Sequence, residues 1–257
     1  MDVRILAVGD VTGKPGLDFL SRHLRSFQRQ AGIDFTVVNG ENANVVGIIP
    51  WQAEEIFDAG ADVITLGNHT WTRTELRPYL DSTEAILRPA NFVRGCPGRG
   101  WGLFEASFGT VAVLNLMGRF TLDTNTDNPF FTADEILRQA DTPFILVDMH
   151  AEGTSERQAM GWYLDGRVSA VWGTHTHTQT SDGRVLPQGT GFISDLGMTG
   201  PRDSILGIEP EQSIRKFLGM PPERYRSAKG PCKLEGAIFT LDGTTGRCRE
   251  VEAVRLL

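Results

Sequence analysis

The sequence predicts a layered α/β fold, and three observations carry that prediction. Short β-branched runs recur at 3–9, 35–40, 61–67, 144–149 and 168–172. Runs of this kind read as strands buried on both faces, as in sheets covered by helices. Between several of them lie stretches whose apolar residues fall on the three-to-four spacing of an amphipathic helix. Finally, each run leads into a carboxylate, an amide or an imidazole, and in such folds the loops beyond strand carboxyl ends converge on one crevice.

Taken in order, 3–9 reads as a strand ending at Asp10. Residues 13–31 read as a helix carrying Leu17, Leu20, Leu24 and Phe27, with Gly32 as its stop. The strand 35–40 leads to Glu41 and Asn42, and a glycine-containing loop at 44–49 precedes a helix over 50–59. Pro50 suits the first helical turn, and Gly60 follows the last. The strand 61–67 leads to Asn68 and His69. This strand–helix–strand rhythm implies right-handed parallel crossovers. From 85 to 117 the texture changes, with short strands at 86–92, 101–108 and 110–117 separated by Gly and Pro turns. Next come a helix at 132–140, a strand at 144–149 ending at His150, a helix at 155–164, and a strand at 168–172. That last strand leads into Gly173-Thr174-His175-Thr176-His177. Further strands are expected at 191–195, 232–241 and 247–256, the last two joined by a turn at 242–246.

The remaining stretch, 197–231, is rich in Gly, Pro and charge, with one helical piece at 211–218. Segments this long inside compact domains are usually lids or other functional pieces. No repeat, low-complexity run or linker divides the chain. The expectation is a single domain over 1–257 with a lid or insertion at 197–231.

A chain of 257 residues can bury roughly three quarters of the surface it exposes when unfolded. The hydrophobic share of 40% and charged share of 22% are those of an ordinary soluble globule. A formal net charge of −7 disfavours general binding to nucleic-acid backbone, so no stable nucleic-acid complex is expected. A small phosphorylated substrate is compatible, because bound cations supply positive charge locally. Cys96, Cys232 and Cys248 are odd in number and form no C-x-x-C pair, which suits a reducing cytosol. No apolar run approaches the roughly 18–20 residues that span a bilayer, and no hydrophobic leader is seen. The expectation is a soluble cytoplasmic protein without membrane contact, a homo-oligomer being left open.

Asp10, Glu41, Asn42, Asn68, His150, His175 and His177 together form the candidate site. Carboxylates, amide oxygens and imidazoles without thiolate suit iron, manganese or zinc. Seven donors exceed what one ion accepts, whereas two ions bridged by a carboxylate use them all. Such a pair suits phosphate ester hydrolysis, among the slowest of uncatalysed reactions. His69, beside Asn68, is the candidate to protonate a departing alkoxide. Blander readings stand beside these. A lone strand-end His is more often structural than a ligand. Asp10 can cap the following helix, and Asn42 and Asn68 can be turn residues. Arg202 can meet a substrate phosphate or be a solvated surface arginine. His23 reads as a solvent-side helix residue, and Trp162 with Tyr163 as core or interface. Asp123, Asp127 and Asp134 read as loop solvation or the start of a helix. Gly13-Lys14-Pro15-Gly16 lacks the phosphate-loop spacing.

The succession Asp10, Gly40-Glu41-Asn42, Gly67-Asn68-His69, His150 and His175-x-His177 resembles the calcineurin-like metallophosphoesterase pattern. With Gly-Glu-Asn and Gly-Thr-His-Thr-His it is similar, more narrowly, to the YmdB-type bacterial phosphodiesterases. The likeness extends to Arg88-Pro89-Ala90-Asn91 and to Thr199-Gly200-Pro201-Arg202-Asp203-Ser204. It implies an αββα sandwich and hydrolysis of 2′,3′-cyclic nucleotides. It also implies Asp10, Glu41, Asn42 and His177 on one metal and Glu41, Asn68, His150 and His175 on the other, with His69 as proton donor. Two departures from the wider superfamily are Thr12, where the Asp-x-His motif has its second ligand, and Glu41 in place of the usual bridging Asp. The function expected is a binuclear-metal phosphodiesterase acting on small esters. The alternatives are a phosphomonoesterase or nucleotidase with the same site, and a regulatory nucleotide- or RNA-binding protein that keeps the fold. His69 argues against the latter, since a pure sensor gains nothing from an acid. An amidohydrolase is disfavoured by order: there H-x-H follows the first barrel strand, here a late one.

Overall fold

A computed structural model of the chain describes residues 2–122 and 125–257. Its first part runs β1 (Asp2–Val8), β2 (Asp10–Val11), α1 (Gly13–Ala31), β3 (Phe35–Asn39), α2 (Pro50–Ala59), β4 (Val63–Thr65), α3 (Leu76–Ser82) and β5 (Ile86–Leu87). The middle holds β6 (Trp101–Ala106), β7 (Gly109–Met117), α4 (Pro129–Leu137), β8 (Phe144–His150), α5 (Thr154–Leu164) and β9 (Ala170–Thr174). The last part holds β10 (Arg184–Val185), β11 (Gly191–Ile193), β12 (Met198–Pro201), α6 (Pro210–Phe217), β13 (Cys232–Asp242) and β14 (Cys248–Leu256).

The strands form two sheets. The larger has the order β2-β12-β13-β1-β3-β4-β5, with β14 also on β13; the smaller has the order β10-β11-β9-β8-β7-β6. Strands β1, β3, β4 and β5 are parallel, as are β7, β8, β9 and β11. Period-two alternation decides how the sheets pack. Along β1, Ile5 and Ala7 enter the space between the sheets, while Leu6 and Val8 pack with Leu17, Leu20 and Ile56 of α1 and α2. Along β7, Val111 and Val113 face inward, while Leu114 and Leu116 meet Ile136 of α4 and Met160 of α5. The result is the αββα sandwich that the resemblance implied. Trp172 and Phe239 join the two sheets at its centre, their ring centroids 5.6 Å apart.

Local chemistry explains the element ends. Gly32 closes α1 in the left-handed conformation at φ 62°, its N–H donating to the Gln28 carbonyl. Where the structure departs from expectation, side chains compete with regular pairing. The strand expected at 86–92 stops at Leu87, because the Arg88 guanidinium donates to the Pro89, Cys96 and Pro97 carbonyls. Asn91 bonds both backbone groups of Met117, at 2.8 and 2.9 Å. The helix expected at 132–140 lies at Pro129–Leu137, since Asn128 Oδ1 accepts from the Phe130 N–H at 2.9 Å. Helix α3 was not anticipated; Leu76 and Leu80 bury one face, and Pro78 sits in the first turn, where its missing N–H costs nothing. Within 197–231, residues Met198–Pro201 form a sheet strand between β2 and β13. Trp162 and Tyr163 are exposed on α5, with the Tyr163 hydroxyl donating to Asp134 of α4 at 2.6 Å. The Asp127 N–H donates to the Asn91 carbonyl at 2.7 Å, and Asp123 lies outside the described residues. Among the described residues, no helix is long and apolar enough to cross a membrane.

Candidate functional site

Both sheets deliver polar groups to one crevice. Asp10 sits in β2 just past β1, Glu41 and Asn42 follow β3, and Asn68 and His69 follow β4. From the smaller sheet come His150, the last residue of β8, and His175 and His177, just beyond β9. All seven expected donors are therefore brought together. His150 Nε2 lies 2.9 Å from Asn68 Oδ1, 3.1 Å from Glu41 Oε1 and 3.2 Å from His175 Nδ1. One ring nitrogen cannot satisfy three acceptors, so the convergence suits lone pairs aimed at a shared cation. Ligand atoms of Glu41, His150 and His175 all fall within 4.8 Å of one another.

A second group adjoins the first. His177 Nε2 lies 3.6 Å from Asp10 Oδ1 and 3.1 Å from Asn42 Nδ2, which is 3.2 Å from Glu41 Oε1. Asp10 Oδ2 accepts from the His175 backbone N–H at 3.1 Å, while Oδ1 is buried without a hydrogen-bond partner among the described residues. An orphaned, buried carboxylate oxygen is costly, and a cation would satisfy it. The donor set therefore fits hard-to-borderline cations, with Glu41 adjoining both groups of side chains. Asn42 presents its nitrogen here; ligation through its oxygen takes the other orientation of the amide. Gly67 is required by close approach, since a Cβ there would meet the His150 ring and the Glu41 carboxylate. Asp10 is not a helix cap: the N-cap of α1 is Thr12, whose own hydroxyl turns to the Asp10 carbonyl at 3.1 Å.

Each imidazole is gripped at one nitrogen, which leaves the other for the crevice. His150 Nδ1 is 2.9 Å from Thr174 Oγ1, which donates to Asp148 Oδ1 at 2.7 Å. His175 Nε2 faces Glu152 at 3.0 Å, and His177 Nδ1 donates to the Leu206 carbonyl at 3.0 Å. His175 and His177 hold φ of 107° and 60°, unusual for residues with a Cβ. Asp195 Oδ2 braces the turn between them, accepting from Thr176 N at 3.2 Å and Thr176 Oγ1 at 2.7 Å. Asp195 is itself paired with Arg157 of α5, and both are buried. The sequence reading missed these supports. Asp148 carried a signal, a carboxylate inside an apolar strand; Arg157, Glu152 and Asp195 carried none.

Burial and mutual charge push the groups apart in acidity. Burial raises Asp10 to about 6, despite His177 and His150 nearby. Burial also acts to raise Glu41, but the adjoining His150 overrides it and brings Glu41 to about 2. The reciprocal holds for His150, where Glu41 overrides burial and lifts the imidazole to about 9. Burial and His150 drive His175 down to about 3, so it is neutral. Burial also holds His69 below its ordinary value, with His150 and His177 adding to the effect against Glu41. His69 lines the cleft, its backbone N–H donating to Glu41 Oε2 at 3.1 Å.

The cleft has a volume of about 340 Å³, and Asn42, His69 and His175 line it together with Leu206, Phe217 and Tyr225. Arg202 does not line it; its guanidinium pairs with Asp203 at 3.3 Å, and the cleft's lysine is Lys216. His23 packs on Phe19 of α1 at 4.4 Å between ring centroids, apart from the cluster.

A model of the family described as YmdB-like protein matches residues 6–254, a span that contains every crevice residue. The chain belongs to the YmdB-like family. A relative from Bacillus subtilis (strain 168), named 2′,3′-cyclic-nucleotide 2′-phosphodiesterase, is 43% identical over 255 residues, 98% of this YmdB-like chain and 96% of the relative. Among solved structures, a hypothetical protein from Thermus thermophilus superposes with TM-score 0.92 at 36% identity, covering 99% of both chains. A structure described as a novel phosphatase from Mycoplasma pneumoniae superposes with TM-score 0.93 at 33% identity, covering 100% of this YmdB-like chain and 94% of the other.

Proposed function

We propose that this chain, a phosphoric ester hydrolase, is a metal-dependent phosphodiesterase that opens 2′,3′-cyclic mononucleotides at the 2′-oxygen. The observation that carries the reading is the convergence of Asn68, Glu41 and His175 on His150 Nε2, beside His69 at the wall of the same cleft. The name of the Bacillus subtilis relative supports the substrate class. Asp10, Glu41, Asn42 and His177 would hold one cation, and Glu41, Asn68, His150 and His175 the other. Iron or manganese suits this mixed oxygen and nitrogen set best, with zinc as the third choice. When bound, the cations supply Lewis acidity and positive charge against the phosphoryl oxygens.

The chain's own residues do the rest. Water adds to phosphorus and gives up one proton to solvent, the bond from phosphorus to the 2′-oxygen breaks, and His69 delivers the proton that the departing oxygen needs and then takes one back from solvent. A lowered pKa makes His69 a strong acid with a small protonated fraction, and an anionic diester beside it raises that fraction. Glu152, Asp148 and Asp195 hold the histidines in register. The cleft of about 340 Å³ and the net charge of −7 favour a small ester over a polyanionic strand.

Manganese-loaded protein is expected to convert 2′,3′-cAMP to 3′-AMP and to cleave bis-p-nitrophenyl phosphate, losing both activities to chelator. His69→Ala should lower kcat by roughly 10²–10⁴-fold while elemental analysis finds the metal content unchanged. Loaded protein that leaves both esters intact would end the proposal.

A further inference from the structure

Helix α6 is built inside out. Its buried residues are the polar Gln212 and Ser213. Gln212 acts as a peg, its amide nitrogen donating to the Arg224 carbonyl at 2.7 Å and its oxygen accepting from the Arg226 N–H at 2.9 Å. The apolar residues of the same helix face outward: Ile214 is 51% exposed and Phe217 is 82% exposed. Leu218, which follows, is 73% exposed. A single exposed apolar residue needs no explanation, but an apolar helix face turned from the core does.

Phe217 is not merely on the surface, because it lines the same cleft as His69, His175 and His177. Val45, Leu206 and Ile208 line the cleft as well, so it offers apolar surface along with the polar cluster. Val45 and Leu206 hold positive φ of 65° and 53°, so this surface is held in unusual backbone. The neighbouring aromatic, Tyr225, is committed elsewhere: Lys216 Nζ bonds its hydroxyl at 2.5 Å and lies 5.3 Å from its ring centroid. Among the described residues, Phe217 lines the cleft with its ring left free of a stacking or cation partner. A cleft that holds both a polar cluster and a free aromatic ring fits a ligand with one anionic end and one flat end.

We propose that Phe217 is the specificity-determining platform on which the nucleobase of the substrate stacks, against the wall made by Val45, Leu206 and Ile208. This rests on the phosphodiesterase reading for the identity of the anionic end. Base–aromatic stacking tolerates any base, so the platform selects nucleotides over baseless esters without choosing among bases.

The test uses the full-length, manganese-loaded protein and measures binding of 3′-AMP and of inorganic phosphate by calorimetry, alongside turnover of 2′,3′-cAMP and of glycerol cyclic phosphate. Phe217 is exposed enough for substitution to spare the fold. Phe217→Ala should weaken 3′-AMP about tenfold and leave phosphate unchanged, and Phe217→Trp should restore 3′-AMP affinity. In turnover, Phe217→Ala should raise KM for 2′,3′-cAMP with kcat held, and leave glycerol cyclic phosphate unaffected. Equal 3′-AMP affinity in wild type and Phe217→Ala would overturn the platform, whatever the catalytic result. A Phe217→Ala variant whose sedimenting mass falls while 3′-AMP affinity holds would overturn it in favour of a second copy on this face. Absence of any turnover would instead count against the phosphodiesterase reading, and the binding arm would still decide the platform.

Discussion

Asp10 and Glu41 are two buried carboxylates in one crevice, yet burial takes Asp10 up to about 6 while His150 takes Glu41 down to about 2. Cations bind deprotonated ligands, so protons compete wherever a ligand still holds one. His150, lifted to about 9, must lose its proton at any neutral pH, whereas His175, at about 3, has none to lose. Asp10 is ionised above about 6 and protonated below it. Cation affinity should therefore fall by about one decade per pH unit between pH 8 and 6, and by about two decades below that, where Asp10 joins His150. Manganese titrations from pH 8 to 5 check this; an unchanged slope through pH 6 would take Asp10 out of the donor set.

The turn after β9 shows what an element contributes. His175 and His177 sit in left-handed backbone, each costing about 1–3 kcal/mol, so the surroundings must hold them there. Asp195 does so through Thr176 and is itself neutralised by Arg157. Asp195→Ala leaves a buried guanidinium unpaired and should cost roughly 3–5 kcal/mol in urea unfolding, with weaker cation binding at the same time. Full stability and intact affinity in that variant would mean the turn holds itself. Element ends also mark where local pattern lost to tertiary bonding. The strand expected at 86–92 ended early because Arg88 and Asn91 spend their side chains on neighbouring carbonyls. Helix α3 escaped notice because Pro78 hides a buried Leu76–Leu80 pair.

Across the whole molecule, the crevice is where the two sheets meet. Asp10, Glu41, Asn42 and Asn68 belong to the larger sheet's loops, and His150, His175 and His177 to the smaller. Cations held by both would tie the layers together at their open end, as Trp172 and Phe239 do at the centre. A ligand that binds only the folded state adds about 2.7 kcal/mol when present at 100 times its dissociation constant. For a chain of 257 residues that corresponds to a melting point higher by roughly 5–11 °C. Calorimetry of manganese-loaded against chelated protein should find it. Identical melting points would mean that no cation joins the sheets.

Sequence alone was enough for the strands that end in polar groups, for the helices that glycine closes, and for naming the seven candidate donors and His69 that the fold brings to one crevice. These follow from local rules: β-branched runs, three-to-four spacing, and the order of polar residue types at strand ends. Tertiary structure alone decided the rest. It put the Asp148–Thr174 relay behind His150, the Arg157–Asp195 pair behind the turn, and Glu152 on His175. It also made the larger sheet take a strand from 198–201 and set Phe217, not Arg202, against the cleft. The physical reason is common to all of these. They are pairings between residues far apart in the chain, whose energy depends on burial and distance, and neither is written in any local stretch of sequence.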